Sequence, residues 1–211
     1  MRTKDNGKNG TAENTGKKKH AAFTWFKRVT VVFCAVVMYF AVTIGVRGYD
    51  MYKDAIAQVS LKDKVSEIRS KESYTVFSDL PETYTDAVLS VEDHRFYGHI
   101  GIDRFYQHGG IDFKGIARAI YTYIRYDEVQ GGSTITQQLA KNLYFTQEKK
   151  MERKVAEVFM AFALERDYSK NEILELYVNT IYFGNGYYCI KDASEGYFGK
   201  EPEDLTDYES T

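Results

Sequence analysis

The sequence predicts a mainly α-helical domain behind a single N-terminal membrane-spanning helix. Three observations lead to this prediction. An uncharged run of 18 residues, VTVVFCAVVMYFAVTIGV, occupies positions 29–46. The rest of the chain shows little of the alternation between apolar and polar residues that marks strands. Only two Pro occur among the 211 residues, so the composition favours long uninterrupted helices.

The apolar run has the length of a transmembrane helix. At a rise of about 1.5 Å per residue it spans roughly 27 Å, close to the ~30 Å hydrocarbon core of a bilayer. Aromatic residues typical of membrane interfaces flank it: Trp25, Phe26, Tyr49 and Tyr52. A buried core helix and a cleaved signal peptide are the alternatives. Core helices are rarely apolar on every face, and this run is long for a signal core and lacks a clean Ala-x-Ala site.

Charge is distributed unevenly along the chain. Eight Lys and Arg against two acids give residues 1–28 a charge of +6, which leaves −8 for the remainder of a chain whose formal net charge is −2. A basic tail before the run predicts a cytoplasmic N-terminus and an extracellular body, and the acidic body argues against nucleic-acid binding. We therefore predict a basic cytoplasmic tail at 1–28, a signal anchor at 29–46, a stalk at 47–72 and a folded domain at 73–211.

Helix signals recur through the body. The stalk is polar and its pattern is helical. Pro81 suits the first turn of a helix that runs toward Asp93, and Ser133 is a candidate N-cap for TITQQLAKNLYF. Ser169 and Glu172 form a capping-box pattern that opens ILELYVNTIYF. Two further helices are predicted, one from Lys149 to about Asp167 and an amphipathic one over 113–125 that we expect to dip into the outer leaflet.

One acidic pair is a candidate for chemistry. Glu92 and Asp93 stand at a predicted helix end and meet Arg95, Phe96 and His99 in a compact polar and aromatic turn. A partly shielded carboxylate can act as a general base. Adjacent acids at a helix end are also common as ordinary solvated surface, so the pattern by itself leaves both interpretations open.

A second candidate carboxylate belongs to a cluster of charges. Glu157 follows Arg153 by four residues and Lys154 by three, so all three share one helical face. They form either a surface ion pair worth roughly a few tenths of a kcal/mol or a carboxylate in a cationic cleft built for phosphate. The segment GGSTITQQLAKN adds a Gly-rich turn at a helix start, where backbone N–H groups can hold an anion, and also supplies Lys141. No Gly-Lys-Ser/Thr follows, as a P-loop would need.

Together these segments resemble the glycosyltransferase domain of penicillin-binding proteins and monofunctional peptidoglycan transglycosylases. The resemblance runs in family order from about residue 73 to the last residue. Its second and fourth blocks are long and specific. The matching blocks are EDHRF…HxGID at 92–103, QGGSTITQQLAKN at 130–142, RKVAE at 153–157, EILELYVNTIYFG at 172–184, GYFGK at 196–200 and LTDYE at 205–209.

This resemblance implies a lysozyme-like helical fold and an inverting enzyme that polymerises lipid II into glycan strands, releasing undecaprenyl pyrophosphate. Glu92 matches the family's catalytic base, and Glu157 matches a second glutamate that assists near the pyrophosphate. Lys141, Arg153 and Lys154 would neutralise the pyrophosphate. The other substrate-binding positions that the resemblance implies are Asp93, Phe96, His99, Ser133, Thr134, Gln137 and Gln138.

The resemblance also implies the partners of the domain. These are lipid II, the growing glycan, the membrane and other cell-wall synthesis proteins. A divalent cation such as Mg²⁺ or Mn²⁺ is expected at the pyrophosphate, without a dedicated protein metal site.

Two features depart from the family pattern. HRFYGHIGI at 94–102 is nearly repeated as DRFYQHGGI at 103–111, and the acidic pair precedes only the first copy. We expect the nine surplus residues to bulge near the cleft and to reduce or abolish polymerase activity. The family continues with further helices after LTDYE, so we expect a domain truncated at its C-terminus, with or without a transpeptidase domain beyond. A non-catalytic lipid II-binding remnant and a lysozyme-like glycan-cleaving enzyme are the alternative functions.

The predicted topology can be tested on intact cells. A protease added outside should digest the body of the chain and spare the basic tail, because the positive-inside rule keeps that tail in the cytoplasm. Immunoblots against a tag at each end report the two halves separately. Survival of the body in intact cells, with digestion only after lysis, would contradict the orientation.

Overall fold

The computed structural model describes residues 9–98, 132–145 and 150–211. Apart from one isolated bridge between Gly184 and Tyr187, the regular structure in this part of the chain is helical. The prediction of a mainly α protein is therefore confirmed. The α-helices are α1 (Asn9–Gln58), α2 (Leu61–Arg69), α3 (Glu82–Glu92), α4 (Ile135–Tyr144), α5 (Met151–Asp167), α6 (Lys170–Val178) and α7 (Ile190–Phe198).

The chain divides into two compact units, residues 1–46 and 47–211. In the first unit the apolar run is helical, and its side chains are mostly exposed. By length and composition the stretch Trp25–Gln58 of α1 is able to cross a membrane. A single apolar N-terminal helix was the predicted membrane anchor, and the described residues contain one.

The core of the second unit is built around α4, which packs against both α5 and α6. Apolar residues one turn apart point into this junction and are fully buried, as on the inner faces of amphipathic helices. They include Ile135 and Leu139 of α4, Met160 and Leu164 of α5, and Ile173 and Leu176 of α6.

The segment predicted as a polar stalk differs from that expectation. It is helical, but α2 contributes Leu61, Val65 and Ile68 to the hydrophobic core. These residues repeat every three to four positions, so one stripe of an otherwise charged helix is apolar. Hence from Leu61 onward the chain is part of the packed domain.

The helices begin where the capping residues predict, except that one N-cap lies one residue later than predicted. Ser169 caps α6 in a capping box with Glu172, as predicted. The predicted N-cap Ser133 is wrong by one residue, because Thr134 caps α4 and its partner is Gln137. α3 begins at Glu82, directly after Pro81.

The last two sequence blocks meet through one ion pair. The ammonium of Lys200 lies 2.8 Å from Oε2 of Glu209, and the backbone N–H of Thr206 donates to the same carboxylate. The Lys200 and Thr206 hydrogen bonds lower the pKa of Glu209 to about 2. This contact ties the segment after α7 back onto the domain.

Candidate active site

Glu92 is the last residue of α3, and its side chain is exposed. It does not have the shielding expected from the sequence. The side-chain amide of Gln138, on α4, donates to Glu92 Oε2 at 2.8 Å. The amide oxygen of Gln138 in turn accepts from the hydroxyl of Tyr177, on α6, at 3.2 Å. Three helices thus hold one exposed carboxylate through a chain of two hydrogen bonds.

The Tyr177 hydroxyl fixes which way the Gln138 amide points. A tyrosine hydroxyl that donates to the amide oxygen leaves the NH₂ group toward Glu92, which is the orientation the network requires. Burial, followed by the nearby charge of Glu92, raises the pKa of Tyr177, so it stays a protonated donor at neutral pH. Sequence reasoning missed this residue, although it stands inside the matching block EILELYVNTIYFG.

Asp93 has a different position from its neighbour. Its side chain is buried, and Oδ2 accepts from the backbone N–H of Ile135 at 3.2 Å. A carboxylate at this point is stabilised by the positive end of the α4 dipole. Asp93 therefore links the end of α3 to the start of α4, and its predicted role in binding substrate is not supported by this geometry.

The turn after Asp93 is also part of the core. Phe96 is only 1% exposed, and the Lys170 ammonium lies 4.4 Å from the centre of its ring. Phe96 therefore packs in the core of this structure, and its contact with substrate stays a prediction. His99 and the predicted amphipathic helix 113–125 lie outside the described residues.

The start of α4 was predicted to bind an anion through its backbone. Thr134 Oγ1 accepts from the N–H of Gln137, and Gln137 Oε1 accepts from the N–H of Thr134, both at 3.1 Å. Both side chains are buried. Asp93 accepts from the N–H of Ile135. Three backbone N–H groups at this helix start, those of Thr134, Ile135 and Gln137, therefore already have protein partners. Thr134 and Gln137 are therefore capping residues here.

The charged cluster on α5 is not a surface ion pair. Glu157 is 1% exposed, and one of its oxygens bonds the buried guanidinium of Arg153. The ammonium of Lys154 lies 2.8 Å from Glu157 Oε2 and donates to Ser133 Oγ at 2.9 Å. Two cations around one carboxylate give this cluster a net charge of +1. About half of the Lys154 side chain is exposed, and Lys141 of α4 is also partly exposed.

A second buried carboxylate lies two turns further along α5. Glu165 is 2% exposed, accepts from the Thr136 hydroxyl, and lies 2.7 Å from the Lys170 ammonium. The same ammonium caps the ring of Phe96. The sequence signal for this network was the cation at the start of α6, five residues after Glu165, which sequence reasoning did not use.

The described residues contain no group of three or more His, Cys, Asp or Glu side chains placed to hold a metal ion. The divalent cation expected at the pyrophosphate therefore stays a prediction.

Comparison with known families identifies the family of this chain. The profile described as Transglycosylase matches residues 61–211, which include every described side chain of the candidate site. The chain belongs to the transglycosylase family. The match begins at the first residue of α2, which agrees with the packing of that helix into the core.

Several transglycosylase relatives are similar over most of this chain. Penicillin-binding protein 1F of Bacillus subtilis (strain 168) is 45% identical over 146 residues, 68% of this chain and 19% of that protein. A monofunctional glycosyltransferase of Staphylococcus haemolyticus (strain JCSC1435) is 38% identical over 183 residues, 87% of this chain and 60% of that protein. One of Staphylococcus aureus (strain Newman) is 42% identical over 144 residues, 67% and 50% respectively. The chain thus spans between 19% and 60% of the length of these relatives.

The geometry of the α5 cluster predicts unequal roles for its two cations. Arg153→Met should lower the free energy of unfolding by about 3–5 kcal/mol, because it leaves the buried Glu157 short of its buried partner. Lys154→Met should change it by less than about 1 kcal/mol, since that ammonium is half exposed. Urea denaturation of both variants measures the difference. Equal losses would mean that Arg153 does not compensate the buried charge.

Proposed function

We propose that this protein is a membrane-anchored peptidoglycan glycosyltransferase that polymerises lipid II and releases undecaprenyl pyrophosphate. Membership of the transglycosylase family supports the reaction class. Relatives named monofunctional glycosyltransferase support the transfer of a glycosyl group from a donor to an acceptor. The observation that carries the proposal is the exposed carboxylate of Glu92 at the end of α3, which accepts from Gln138, whose amide oxygen in turn accepts from Tyr177.

In the proposed reaction Glu92 is the general base. It takes the proton of the 4-hydroxyl of the GlcNAc unit of lipid II while that oxygen attacks the anomeric carbon of the growing strand. The bond to the pyrophosphate oxygen breaks, and the electron pair leaves with the pyrophosphate, so the configuration inverts in a single displacement. Gln138 donates only to Oε2 of Glu92. Among the described residues no hydrogen bond is made to Oε1 of Glu92, and we propose that this oxygen accepts the proton.

The leaving pyrophosphate needs compensating positive charge. Lys154 is exposed enough to reach a ligand, while Arg153 is held in the protein by Glu157. Glu157 thus keeps the two cations in place, which is how we interpret its assisting role. Ser133 joins this group through its hydrogen bond to Lys154, and Lys141 supplies a further cation from α4. Preorganised cations of this kind stabilise charge that develops in the transition state.

Magnesium or manganese would enter this site with the substrate. Mg²⁺ keeps several waters and commonly binds through substrate phosphates with one or two carboxylates. A cation carried on the pyrophosphate would add to the positive charge that the lysines provide.

The membrane placement follows from the same proposal. A lipid-linked substrate lies in the bilayer, so an enzyme anchored there meets it without leaving the surface. We propose that the N-terminus is cytoplasmic and that residues from about 47 onward lie outside the cell, in reach of lipid II and of other cell-wall synthesis proteins.

The role of Glu92 is tested with one isosteric change. Glu92→Gln keeps the shape and the bond from Gln138 but removes the basic oxygen, so lipid II polymerisation should fall at least 10²-fold, as for loss of a general base. Lipid II binding should persist. Glu82→Gln, at the other end of α3, is the matched control and should remain within twofold of the parent. Polymerisation at the parent rate by Glu92→Gln would refute the assignment.

The same assay separates the alternative functions. Incubation with labelled lipid II yields polymer for a synthase and binding alone for a non-catalytic remnant. Shortening of preformed glycan would indicate a lysozyme-like hydrolase.

The nine-residue repeat is tested by deletion. Removing residues 95–103 joins Glu92-Asp93-His94 to Arg104 and restores one uninterrupted motif, so polymerisation should rise at least tenfold if the repeat misplaces the acceptor. Parent and deletion variant should be compared in a chain extended beyond Thr211 with the corresponding segment of a longer relative. Adding Glu92→Gln to the deletion variant should remove the gain. Equal rates for parent and deletion variant would show that the repeat is harmless.

A further inference from the structure

The segment of α1 that belongs to the second unit packs closely against α5. Gly48 lies in this segment and is buried. A Cβ atom added at Gly48 would lie 2.5 Å from Cβ of Val155, 2.6 Å from its Cγ1 and 2.8 Å from the carbonyl oxygen of Glu152. Ordinary contacts of a Cβ atom begin at 3.4 Å. The absence of a side chain at position 48 therefore sets how near the two helix backbones approach.

Other contacts flank this close approach. The ring of Phe159 lies 5.1 Å from that of Tyr49 and 6.0 Å from that of Tyr52, in an edge-on and a tilted arrangement. On the other side of Gly48, the guanidinium of Arg47 lies 3.8 Å from a carboxylate oxygen of Glu152. Glu152, Val155 and Phe159 recur every three to four residues, so they form one face of α5.

The same two turns of α5 carry the candidate phosphate-binding charges. Arg153 and Lys154 lie between the contact residues Glu152 and Val155, and Glu157 follows Val155 by two positions. An α-helix is a stiff element in which neighbouring residues are only about 1.5 Å apart along the axis. A shift of α5 away from α1 would therefore move Arg153, Lys154 and Glu157 together, relative to Ser133 and to α4.

We propose that Gly48 is a positioning residue for the glycosyl transfer. By allowing α1 to pack directly against Val155, Gly48 sets the distance between α1 and α5. That distance in turn sets the position of the pyrophosphate-binding cations on α5. The helix that follows the apolar run thus contributes to the active site without touching the substrate. This inference rests on the proposed function, because it assigns a purpose to the placement of those cations.

Gly48→Ala is the direct test, and Gly45→Ala is its matched control. Both replace a glycine of α1 by the same residue and gain the same helix propensity. A Cβ at Gly45 meets nothing within 4 Å, whereas the Cβ at position 48 must push Val155 away. In this protein reconstituted in lipid with its apolar helix, Gly48→Ala should lower kcat for lipid II by roughly 10- to 100-fold, since misplacement of about 1 Å has that effect. KM should change less, and Gly45→Ala should stay within twofold of wild type.

A second variant separates displacement of α5 from simple loss of packing. Val155→Ala removes methyl groups from the same contact and leaves Gly48 in place. It should lower the thermal midpoint but keep kcat within about threefold of wild type. A purely structural role for this contact predicts the opposite, with kcat following stability in both variants. A Gly48→Ala variant with the kcat of Gly45→Ala would overturn the proposal.

Failure of the proposed function would be recognised separately. In that case wild type and Gly45→Ala would both produce no polymer, even after residues 95–103 are deleted and the chain is extended beyond Thr211. The affinity for a polyprenyl pyrophosphate is then measured in place of kcat. Gly48→Ala should bind this ligand about tenfold more weakly than Gly45→Ala. If wild type does not bind it either, hydrogen–deuterium exchange of residues 152–159 decides. Faster exchange in Gly48→Ala than in Gly45→Ala supports the displacement of α5, and equal exchange refutes it.

Discussion

Two buried carboxylates on one helix constrain the rest of this domain. Glu157 and Glu165 lie on α5 with almost no exposure, and a buried charge is tolerated only when it is paired and hydrogen-bonded. Glu165 is compensated by groups from α4 and α6, Thr136 and Lys170. Glu157 is compensated from α5 itself by Arg153 and Lys154. The need to compensate Glu165 therefore fixes how α4 and α6 sit against α5, while Glu157 holds Arg153 and Lys154 on its own helix.

The groups that compensate these carboxylates also contact residues of the candidate active site. The Lys170 ammonium also lies over Phe96, four residues after Glu92, and Lys154 also bonds Ser133 at the approach to α4. Positions that match the family blocks consequently divide into two kinds. Those whose side chains bond the protein and are buried build the scaffold: Asp93, Phe96, Thr134 and Gln137. Those that remain at least partly exposed are the ones able to meet a ligand: Glu92, Ser133, Gln138, Lys141 and Lys154.

Patterns among residues close in sequence predicted the helices of this domain well. They predicted the burial of single residues less well. The capping box at Ser169 was correct because capping depends on residues three positions apart, which the sequence displays directly. The burial of Phe96 and the packing of α2 were not predicted, because each depends on partners distant in the sequence. Phe96 meets Lys170, and Leu61, Val65 and Ile68 join a core that continues to Ile190. The preference for Thr134 over Ser133 as the N-cap was also hidden, since both residues have a suitable hydroxyl.

The structure bears on the repeat through the part of its first copy that is described. Asp93 is bound to Ile135 before the repeat begins, and Phe96 of the first copy lies in the core. The hydroxyl of Tyr97 donates to Asn171, which fastens the same turn to the start of α6. Glu92 and the first turn of copy one are thus fixed from both sides by contacts that do not involve the second copy. Extra chain length between that turn and α4 leaves those contacts intact, which is consistent with a folded domain. Catalysis is more sensitive than folding, because the acceptor hydroxyl must reach Glu92 within hydrogen-bond distance, about 2.6–3.2 Å.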